Sequence, residues 1–239
     1  MIKYERILLK LSGESIGGAD GTGLDNGVLL RYAEEIHAVA ALGVEVAVVI
    51  GGGNIFRGIA GAERGVDRVR GDQMGMLATV INSIALSLAL KEKGLEAEVY
   101  TSTPMRPYAI YYMRDKALKL MKKGGVAIIA GGTGNPFFTT DSASALRAAE
   151  LGVSALLKGT RVDGVYSADP EKDPQAVKYT ALTYDRAISE NLRIMDQTAF
   201  ALCKENEIPI VVFDMNTAGN LCRLVEKGDV GTLISGKKG

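Results

Sequence analysis

Short apolar runs alternate along this chain with longer segments whose apolar residues recur at helical spacing. The runs are rich in Val and Ile and predict strands at 6–12, 44–50, 96–101, 125–131, 153–159 and 208–214. Several lack a polar alternate face, which is typical of strands covered by helices on both sides. The longer segments predict helices near 26–42, 72–93, 107–123, 141–151, 183–190, 195–206 and 218–227. This alternation predicts an α/β fold, a three-layer αβα sandwich with a mostly parallel central sheet.

Composition narrows the possible functions. A chain of 239 residues, 47% of them apolar, fits one large domain or two intimate lobes. Its 28 basic residues equal its 28 acidic residues, so no net field attracts nucleic acid or a membrane. The first apolar run is too short for a signal peptide, and we see no membrane-spanning stretch. Cys203 and Cys222 lack metal-ligand spacing. We therefore expect a cytoplasmic protein with reduced thiols, in which the single His37 is a helix-surface residue.

Four glycine-bearing loops follow predicted strands, at 12–23, 51–58, 131–140 and 158–169. In a parallel sheet, ligands bind beyond the carboxyl ends of the strands, so these loops are the candidate binding elements. The stretch "VVIGGGNIFRG" has three successive glycines where a tight turn needs one, which indicates close approach of a ligand to the backbone. Arg57 adds a permanent charge with a fork geometry that suits phosphate oxygens.

The stretch "AGGTGNPFFTTD" at 130–141 places glycines and two phenylalanines in a loop before a helix. The helix N-terminus offers unpaired N–H groups and a favourable dipole for an anion. Asp141 and Asp72 both stand where a helix N-cap is expected. Capping explains the aspartate at 141 but not the glycines or the phenylalanines, so we interpret this loop as a binding loop.

Two motif-like stretches carry other interpretations that we reject. "GTLISGKK" at 231–238 has P-loop-like spacing, but it lacks the required Ser or Thr and no helix can follow it. "GTGNPF" at 132–137 has Phe137 where the dinucleotide fingerprint needs its third glycine, which argues against a dehydrogenase.

Together, "LLKLSGE", "IGGGNIFRG", "GDQMGMLAT", "GTGNPFFTTD" and "KGTRVDGVYSADP" resemble, in order and spacing, the bacterial uridylate (UMP) kinases of the amino-acid kinase superfamily. The similarity covers roughly residues 6–235. It implies a single amino-acid kinase domain over 1–239, with 1–152 mainly the UMP-binding lobe and 153–239 mainly the ATP-binding lobe. It also implies reversible, Mg²⁺-dependent transfer of the ATP γ-phosphoryl group to UMP, giving UDP and ADP, in pyrimidine nucleotide (CTP) biosynthesis.

The resemblance implies a role for each matching residue. The expected ATP contacts are Lys10, Leu11, Ser12, Gly13, Gly53, Arg57, Thr160, Tyr166 and Asp169. The expected UMP contacts are Gly52, Asp72, Thr133, Gly134, Asn135, Pro136, Phe137, Phe138, Thr139 and Thr140. The expected catalytic residues are Lys10, Asp141 and Asp196, and Asp141 is also the candidate Mg²⁺ ligand. Physically, Asp72 can accept hydrogen bonds from ribose hydroxyls, and an acceptor phosphate that is largely dianionic needs no strong base.

The resemblance further implies a homo-oligomer, specifically a hexamer, with UTP as inhibitor and GTP as activator. The segment matched to GTP comprises Gly18, Ala19, Asp20, Gly21, Thr22 and Gly23. The helix in "MGMLATVINSIALSLAL" is apolar around most of its circumference, so it is either deeply buried or partly used in assembly.

Two other functions stay open at this point. A kinase of the same fold could act on an amino acid or carbamate, but that substrate calls for a basic group, and 133–140 contains none. A non-catalytic nucleotide sensor would have lost its reaction-centre charges, whereas Lys10, Arg57 and Asp141 are all present.

Overall fold

The computed structural model describes residues 2–18, 21–56, 65–170, 172–192 and 194–236. The strands of this part of the chain are β1 Arg6–Leu11, β2 Glu45–Ile50, β3 Ala97–Thr101, β4 Ile110–Tyr111, β5 Val126–Ala130, β6 Ala155–Thr160, β7 Val165–Tyr166, β8 Lys178–Tyr179, β9 Ala181–Thr183, β10 Ile210–Asp214 and β11 Thr232–Ser235. The helices are α1 Gly13–Ile16, α2 Asn26–Ala41, α3 Arg68–Glu92, α4 Arg114–Met121, α5 Thr140–Leu151, α6 Tyr184–Ser189, α7 Gln197–Glu205 and α8 Asn220–Glu226.

The main sheet has nine strands in the order β4-β3-β5-β2-β1-β6-β10-β11-β9. Its neighbours pair in parallel, except that β10 and β11 are antiparallel. A separate antiparallel pair joins β7 and β8. The predicted mostly parallel sheet is therefore confirmed, and all six predicted strands are present within two residues of their predicted ends.

Two hydrophobic clusters cover the two faces of this sheet, which gives the predicted three layers. Alternate residues of one strand point to opposite faces, so Ile7 and Leu9 pack into the first cluster while Leu8 packs into the second. The first cluster draws on α2, α3 and α8. The second draws on α4, α5, α6 and α7.

Strand β1 is the point at which the order of the strands reverses direction. The chain runs from β1 to β2 on one side, and β6 pairs with β1 on the other. Loops leaving neighbouring parallel strands diverge at such a point and leave a crevice beyond the carboxyl ends. The crevice of this protein therefore lies near the carboxyl ends of β1 and β6, where Lys10 pairs in register with Lys158.

Helix α3 begins earlier than predicted. The sequence predicted a start at Asp72, but Asp67 is the N-cap, with its side chain accepting a hydrogen bond from the Arg70 N–H at 3.1 Å. Asp72 therefore lies inside the helix, one turn beyond Arg68, which frees its carboxylate for other contacts. This prediction was wrong because Asp67 and Asp72 are both competent caps and the sequence favours neither.

Helix α3 is also long and apolar enough to cross a membrane by composition. Half of its most apolar window is buried inside the protein, where it packs on α2, β2, β3 and β5. These contacts are those of a core helix. The expectation of no membrane-spanning stretch was therefore wrong in one respect, because this helix has the length and apolar composition of such a stretch.

The predicted helix at 107–123 is wrong over its first part. Residues Ile110–Tyr111 form the edge strand β4, paired with Tyr100 and Thr101 of β3, and α4 begins at Arg114. Pro107 lacks an N–H group, and isoleucine and tyrosine favour strands, so pairing with β3 outweighs the helical spacing. The rejected P-loop-like stretch contains the strand β11.

Candidate active site

Asp141 joins two lysines at the centre of the crevice. Lys10 Nζ lies 2.7 Å from Asp141 Oδ1, and Lys158 Nζ lies 2.8 Å from Asp141 Oδ2. The three side chains are only 10–15% exposed. The two lysines reach the same carboxylate because β1 and β6 are parallel and in register, which points both side chains to the α5 face.

The charges of this triad do not cancel. With both lysines protonated, two ammonium groups and one carboxylate sum to one positive charge in a largely buried place, and the nearby Asp196 carboxylate offsets part of it. Burial alone would raise the pKa of the Asp141 carboxyl, but the charges of Lys10 and Lys158 outweigh it and hold that pKa below its usual value. Burial lowers the pKa of the Lys158 ammonium, and the Asp141 carboxylate opposes part of that change. The triad is thus a preformed cationic site that suits an anion.

A large cleft opens in front of the two lysines. This lysine cleft has a volume of about 950 Å³ and is lined by Lys10, Ser12, Gly53, Lys158 and Thr160. The described residues of the predicted GTP segment that line the same cleft are Gly18, Gly21 and Thr22. Gly23 instead pairs with Asn54 through its N–H and C=O groups. Ala19 and Asp20 lie outside the described residues, as does Arg57.

A neighbouring pocket continues from the lysine cleft. Lys158 and Thr160 line both, and the neighbour, which we call the Tyr166 pocket, also contains Tyr166 and Asp169. Its volume is about 590 Å³. The structure therefore brings together Thr160, Tyr166 and Asp169, three of the ATP contacts that the resemblance implies, in a pocket that continues from the lysine cleft.

Leu11 and Gly13, two further predicted ATP contacts, lie behind the cleft. The Leu11 side chain is fully buried in the core, so only its backbone is available to a ligand. Gly13 stands so close to the glycine loop that an added Cβ would lie 2.6 Å from the Gly51 carbonyl oxygen. That glycine allows the loops after β1 and β2 to approach each other.

A second cleft, the Asp72 cleft, lies between α3 and the loop at 131–140. It measures about 130 Å³ and is lined by Gly52, Gly53, Phe56, Gly71, Asp72, Gly75, Met76, Thr79, Gly132, Thr133, Asn135, Phe138, Thr139 and Thr140. Gly53 also lines the lysine cleft, so the two clefts meet at the glycine loop. Of the predicted UMP contacts, Gly134, Pro136 and Phe137 are not part of this lining.

Phe137 contacts Asp72 at the rim of this cleft. The Phe137 N–H donates to Asp72 Oδ2 at 2.7 Å, and Arg68 Nε donates to the same carboxylate at 2.8 and 3.0 Å. The Phe137 ring is 67% exposed and lies under the Arg68 guanidinium at 5.6 Å. Asp72 therefore fixes the loop at 131–140 against α3, and within the described part of the chain its Oδ1 accepts only from Arg68 Nε, which leaves one lone pair for a ligand.

Thr139, not Asp141, is the N-cap of α5. Its hydroxyl oxygen accepts from the N–H groups of Asp141 at 3.0 Å and Ser142 at 3.3 Å, and its hydroxyl donates to Asp196. The predicted cap at Asp141 was wrong because its carboxylate points to the lysines instead.

Asp196 connects the N-termini of α5 and α7 through hydrogen bonds. It caps α7 by accepting from the Ala199 N–H at 2.9 Å, and it accepts from the Ser142 hydroxyl at 3.0 Å as well as from Thr139. These contacts account for both of its oxygens. Its position beside the triad favours a positioning role, and its predicted catalytic role stays a prediction.

Comparisons with known proteins agree with this geometry. Residues 5–214 match the model of the amino acid kinase family. The uridylate kinase of Parabacteroides distasonis is 54% identical over 234 residues, which is 98% of this chain and 99% of that protein. The chain belongs to the amino acid kinase family.

Solved structures of family members superpose over almost the whole chain. The UMP kinase from Bacillus anthracis gives a TM-score of 0.95 at 39% identity, with 98% of this chain and 97% of that one covered. The UMP kinase from Ureaplasma parvum gives 0.91 at 36% identity, with 98% and 100% covered. The sequence-based assignment to this family and to its fold is therefore confirmed.

Kinases that act on nucleotides require a divalent metal ion, and the described residues of this chain offer few ligands for one. Both oxygens of Asp141, the candidate ligand, are already paired with ammonium groups. Among the described residues, no group of three or more His, Cys, Asp or Glu side chains converges on a metal site. The geometry favours Asp141 as the residue that orients the lysines, and a metal ion would be held mainly by the nucleotide phosphates and water.

The sequence left open whether Lys158 is a loop residue or part of a nucleotide pocket, and two buried asparagines were missing from the predicted site. An internal similarity could have identified Lys158, because "LLKLSG" and "LLKGTR" place a lysine at the same point of two strands. Asn82 donates to the Gly51 carbonyl oxygen at 2.7 Å and exchanges hydrogen bonds of 2.7 and 3.1 Å with Asn54. Asn54 in turn donates to the Gly23 carbonyl oxygen at 2.5 Å. This pair fixes the glycine loop to α3 and to the segment after β1.

We expect Asn82→Ala to destabilise the protein by about 2–3 kcal/mol, because it leaves the Gly51 carbonyl oxygen and Asn54 Oδ1 buried without the donor that Asn82 supplies. Urea unfolding measures this change. Ser87→Ala is the matched control, since Ser87 is a buried polar residue of α3 with one hydrogen bond, to Ala97 O at 3.0 Å. A loss in Asn82→Ala no larger than in Ser87→Ala would contradict the role given to the pair.

Proposed function

We propose that this protein is a UMP kinase, which transfers the γ-phosphoryl group of ATP to UMP and forms ADP and UDP. The observation that carries the proposal is the Lys10–Asp141–Lys158 triad beside the junction of two clefts. One cleft leads to the Tyr166 pocket, which suits a donor nucleoside, and the other contains Asp72, which suits the hydroxyls of an acceptor ribose. The reversible reaction supplies UDP to the synthesis of pyrimidine nucleotides, CTP included.

The reaction is an in-line displacement at phosphorus. A phosphate oxygen of UMP forms a bond to the γ-phosphorus of ATP, and the bond from that phosphorus to the β,γ-bridging oxygen breaks. The UMP phosphate is largely dianionic at neutral pH, so no general base has to remove a proton. What the site must supply is charge neutralisation and alignment.

The triad supplies the charge. Lys10 and Lys158 converge on one carboxylate, so their ammonium groups are held in place before the substrates arrive. Such preorganised charge stabilises the transferring phosphoryl group without reorganisation during the step. Asp141 is the positioning residue for both lysines. Amides of the glycine loop and Arg57 are further candidates for phosphate contacts.

The acceptor is recognised by chemistry that fits a nucleotide and not an amino acid. Asp72 can accept a hydrogen bond from a ribose hydroxyl at its free lone pair, and backbone groups of 133–140 can read the edge of uracil. A site built for the O4 and N3–H of uracil leaves buried groups mispaired with cytosine. The loop has no basic side chain for a substrate carboxylate.

The metal ion of this reaction is, we infer, Mg²⁺ that arrives bound to the phosphates of ATP. When bound, it would supply positive charge that offsets the negative charge of the phosphates. The chain itself contributes the two lysines and the oriented carboxylate, so the phosphates are held by cationic side chains on the protein side.

The protein assembles, we infer, as a homo-oligomer, and the resemblance favours a hexamer in the cytoplasm. The support is an exposed apolar stripe along α3, in which Leu77, Ile81 and Leu88 are 52%, 49% and 65% exposed. Residues three, four and seven positions apart share one face of a helix, so these side chains form a continuous surface. A second copy of the chain would cover it.

Regulation by nucleotides follows from the same clefts. UTP carries the uracil and ribose of UMP, so it would compete for the Asp72 cleft and act as an inhibitor. For GTP, Gly18, Gly21 and Thr22 line the lysine cleft itself. A GTP effect through this segment would therefore act directly on the donor phosphates. The division into a UMP-binding lobe at 1–152 and an ATP-binding lobe at 153–239 stays a prediction, and Lys10 and Gly53 of the first lobe line the lysine cleft.

A panel assay of ADP formation tests the proposed function. We expect turnover with UMP, a higher KM with dUMP, which lacks one hydroxyl for Asp72, much slower turnover with CMP, and none with aspartate. Turnover with aspartate and not UMP would indicate the metabolite kinase. Nucleotide binding without ADP formation from any acceptor would indicate the sensor.

We expect Lys10→Ala to lower kcat by roughly 10²–10³, the scale for one lost preorganised charge donor. Steady-state kinetics with UMP measures this, and circular dichroism confirms the fold. Lys204→Ala is the control, because Lys204 also pairs with a carboxylate, Asp185 at 2.6 Å, but lies outside both clefts. Near-normal turnover in folded Lys10→Ala would remove this lysine from the mechanism.

We expect Asp72→Ala to raise the KM for UMP by about 10- to 100-fold, since hydrogen bonds to charged groups contribute about 1.5–3 kcal/mol. The KM for ATP should not change. The control is Asp67→Ala, which removes the N-cap of the same helix without touching the Asp72 cleft. If Asp72→Ala changed the KM for ATP alone, the assignment of donor and acceptor clefts would be reversed.

A further inference from the structure

Gly75 is a glycine in the interior of the long helix α3. Glycine weakens a helix at such a position relative to alanine, because it loses more backbone freedom on folding. Many helix glycines have a packing reason, since a side chain would collide with a neighbouring element. The distances from an added Cβ atom to its neighbours show whether Gly75 has such a packing role.

Apart from its chain neighbours and the backbone of its own helix, a Cβ atom at Gly75 would meet no atom of the described residues within 4 Å. The contrast is Gly52, on the opposite wall, where a Cβ would lie 2.7 Å from the Gly75 carbonyl oxygen and 2.7 Å from Ala78 Cβ. Close packing of the glycine loop on α3 therefore requires the glycine at 52. It does not require the one at 75, which leaves that glycine without a role in packing.

The space in front of Gly75 belongs to the Asp72 cleft. Gly75 lines that cleft, one helical turn after Asp72 and one turn before Thr79, on the same face of α3. Gly52 and Thr140 line the cleft as well. A side chain at position 75 would thus project into the volume between the carboxylate of Asp72 and the glycine loop.

We propose that Gly75 is a specificity-determining residue, whose missing side chain lets the sugar–phosphate part of the acceptor nucleotide lie against the backbone of α3. The inference rests on the proposed function and deepens it. Asp72 takes the ribose hydroxyls at one end, the glycine loop and the triad take the phosphate at the other, and the segment that joins them crosses position 75. Any Cβ there removes room from the ligand and from nothing else.

This role separates stability from binding, which makes it sharply testable. Gly75→Ala should raise the Tm by about 2–4 °C, because alanine favours the helix and meets no obstacle in the protein. The same substitution should raise the KM for UMP at least tenfold and leave the KM for ATP unchanged. Differential scanning calorimetry and steady-state kinetics on the full chain measure the three quantities.

Gly27→Ala is the matched control. Gly27 lies in the first turn of α2, exposed and outside the Asp72 cleft, where a Cβ would contact Asp25 Oδ1 at 3.2 Å. We expect no change in the KM for UMP in this variant. Gly75→Ser and Gly75→Val form a size series, in which the KM for UMP should rise with side-chain volume.

The outcomes distinguish this inference from the proposed function. If the unmodified protein phosphorylates UMP and Gly75→Ala keeps its KM, the inference is overturned while the function stands. If the unmodified protein does not phosphorylate UMP, the proposed function itself fails. A Gly75→Ala protein with a lowered Tm would show that position 75 has a packing role, and would also overturn the inference.

Discussion

The site depends on one buried carboxylate that holds two ammonium groups. Isolated lysines at Lys10 and Lys158 would repel each other and lose much of their hydration, and Asp141 offsets both effects at 2.7 and 2.8 Å. The two ammonium groups outnumber the one carboxylate between them, which favours an anion there. The arrangement needs three elements at once, namely β1, β6 and the start of α5, and each is fixed by a separate part of the fold.

The start of α5 is held in place by contacts from other helices. Thr139 caps the helix, and Asp196 holds Thr139 and Ser142 from the start of α7. At its other end the preceding loop is fixed to α3 through Asp72 and the Phe137 N–H. The residues that contact the acceptor and the residue that orients the lysines are therefore parts of one connected segment, which links substrate binding to the geometry of the triad.

The sequence predicted the central strands and the crevice well because both follow from strong patterns. Long buried strands leave continuous apolar runs, and glycine loops at their ends mark the binding edge. The short strands β4, β7, β8, β9 and β11 were not predicted, since two to four residues show no period. The helix starts at Asp67 and Thr139 were misplaced because several nearby residues can cap, and contacts from distant elements decide between them. The role of Lys158 could not be decided from the sequence because its partner Asp141 lies in a different element, and spacing alone does not reveal such a pair.

Lys10 and Lys158 pair across two parallel strands, so the proposed activity depends on the correct register of β1 and β6. A shift of β6 by one residue against β1 would turn Lys158 to the α2 side of the sheet and bury its charge among Ile and Val side chains. Such a misfolded form would be both inactive and unstable. The alternation of side chains between the two faces of β1 and β6 maintains this register. Core substitutions in these strands that weaken the alternation would therefore lower activity, although the substituted residues contact no nucleotide.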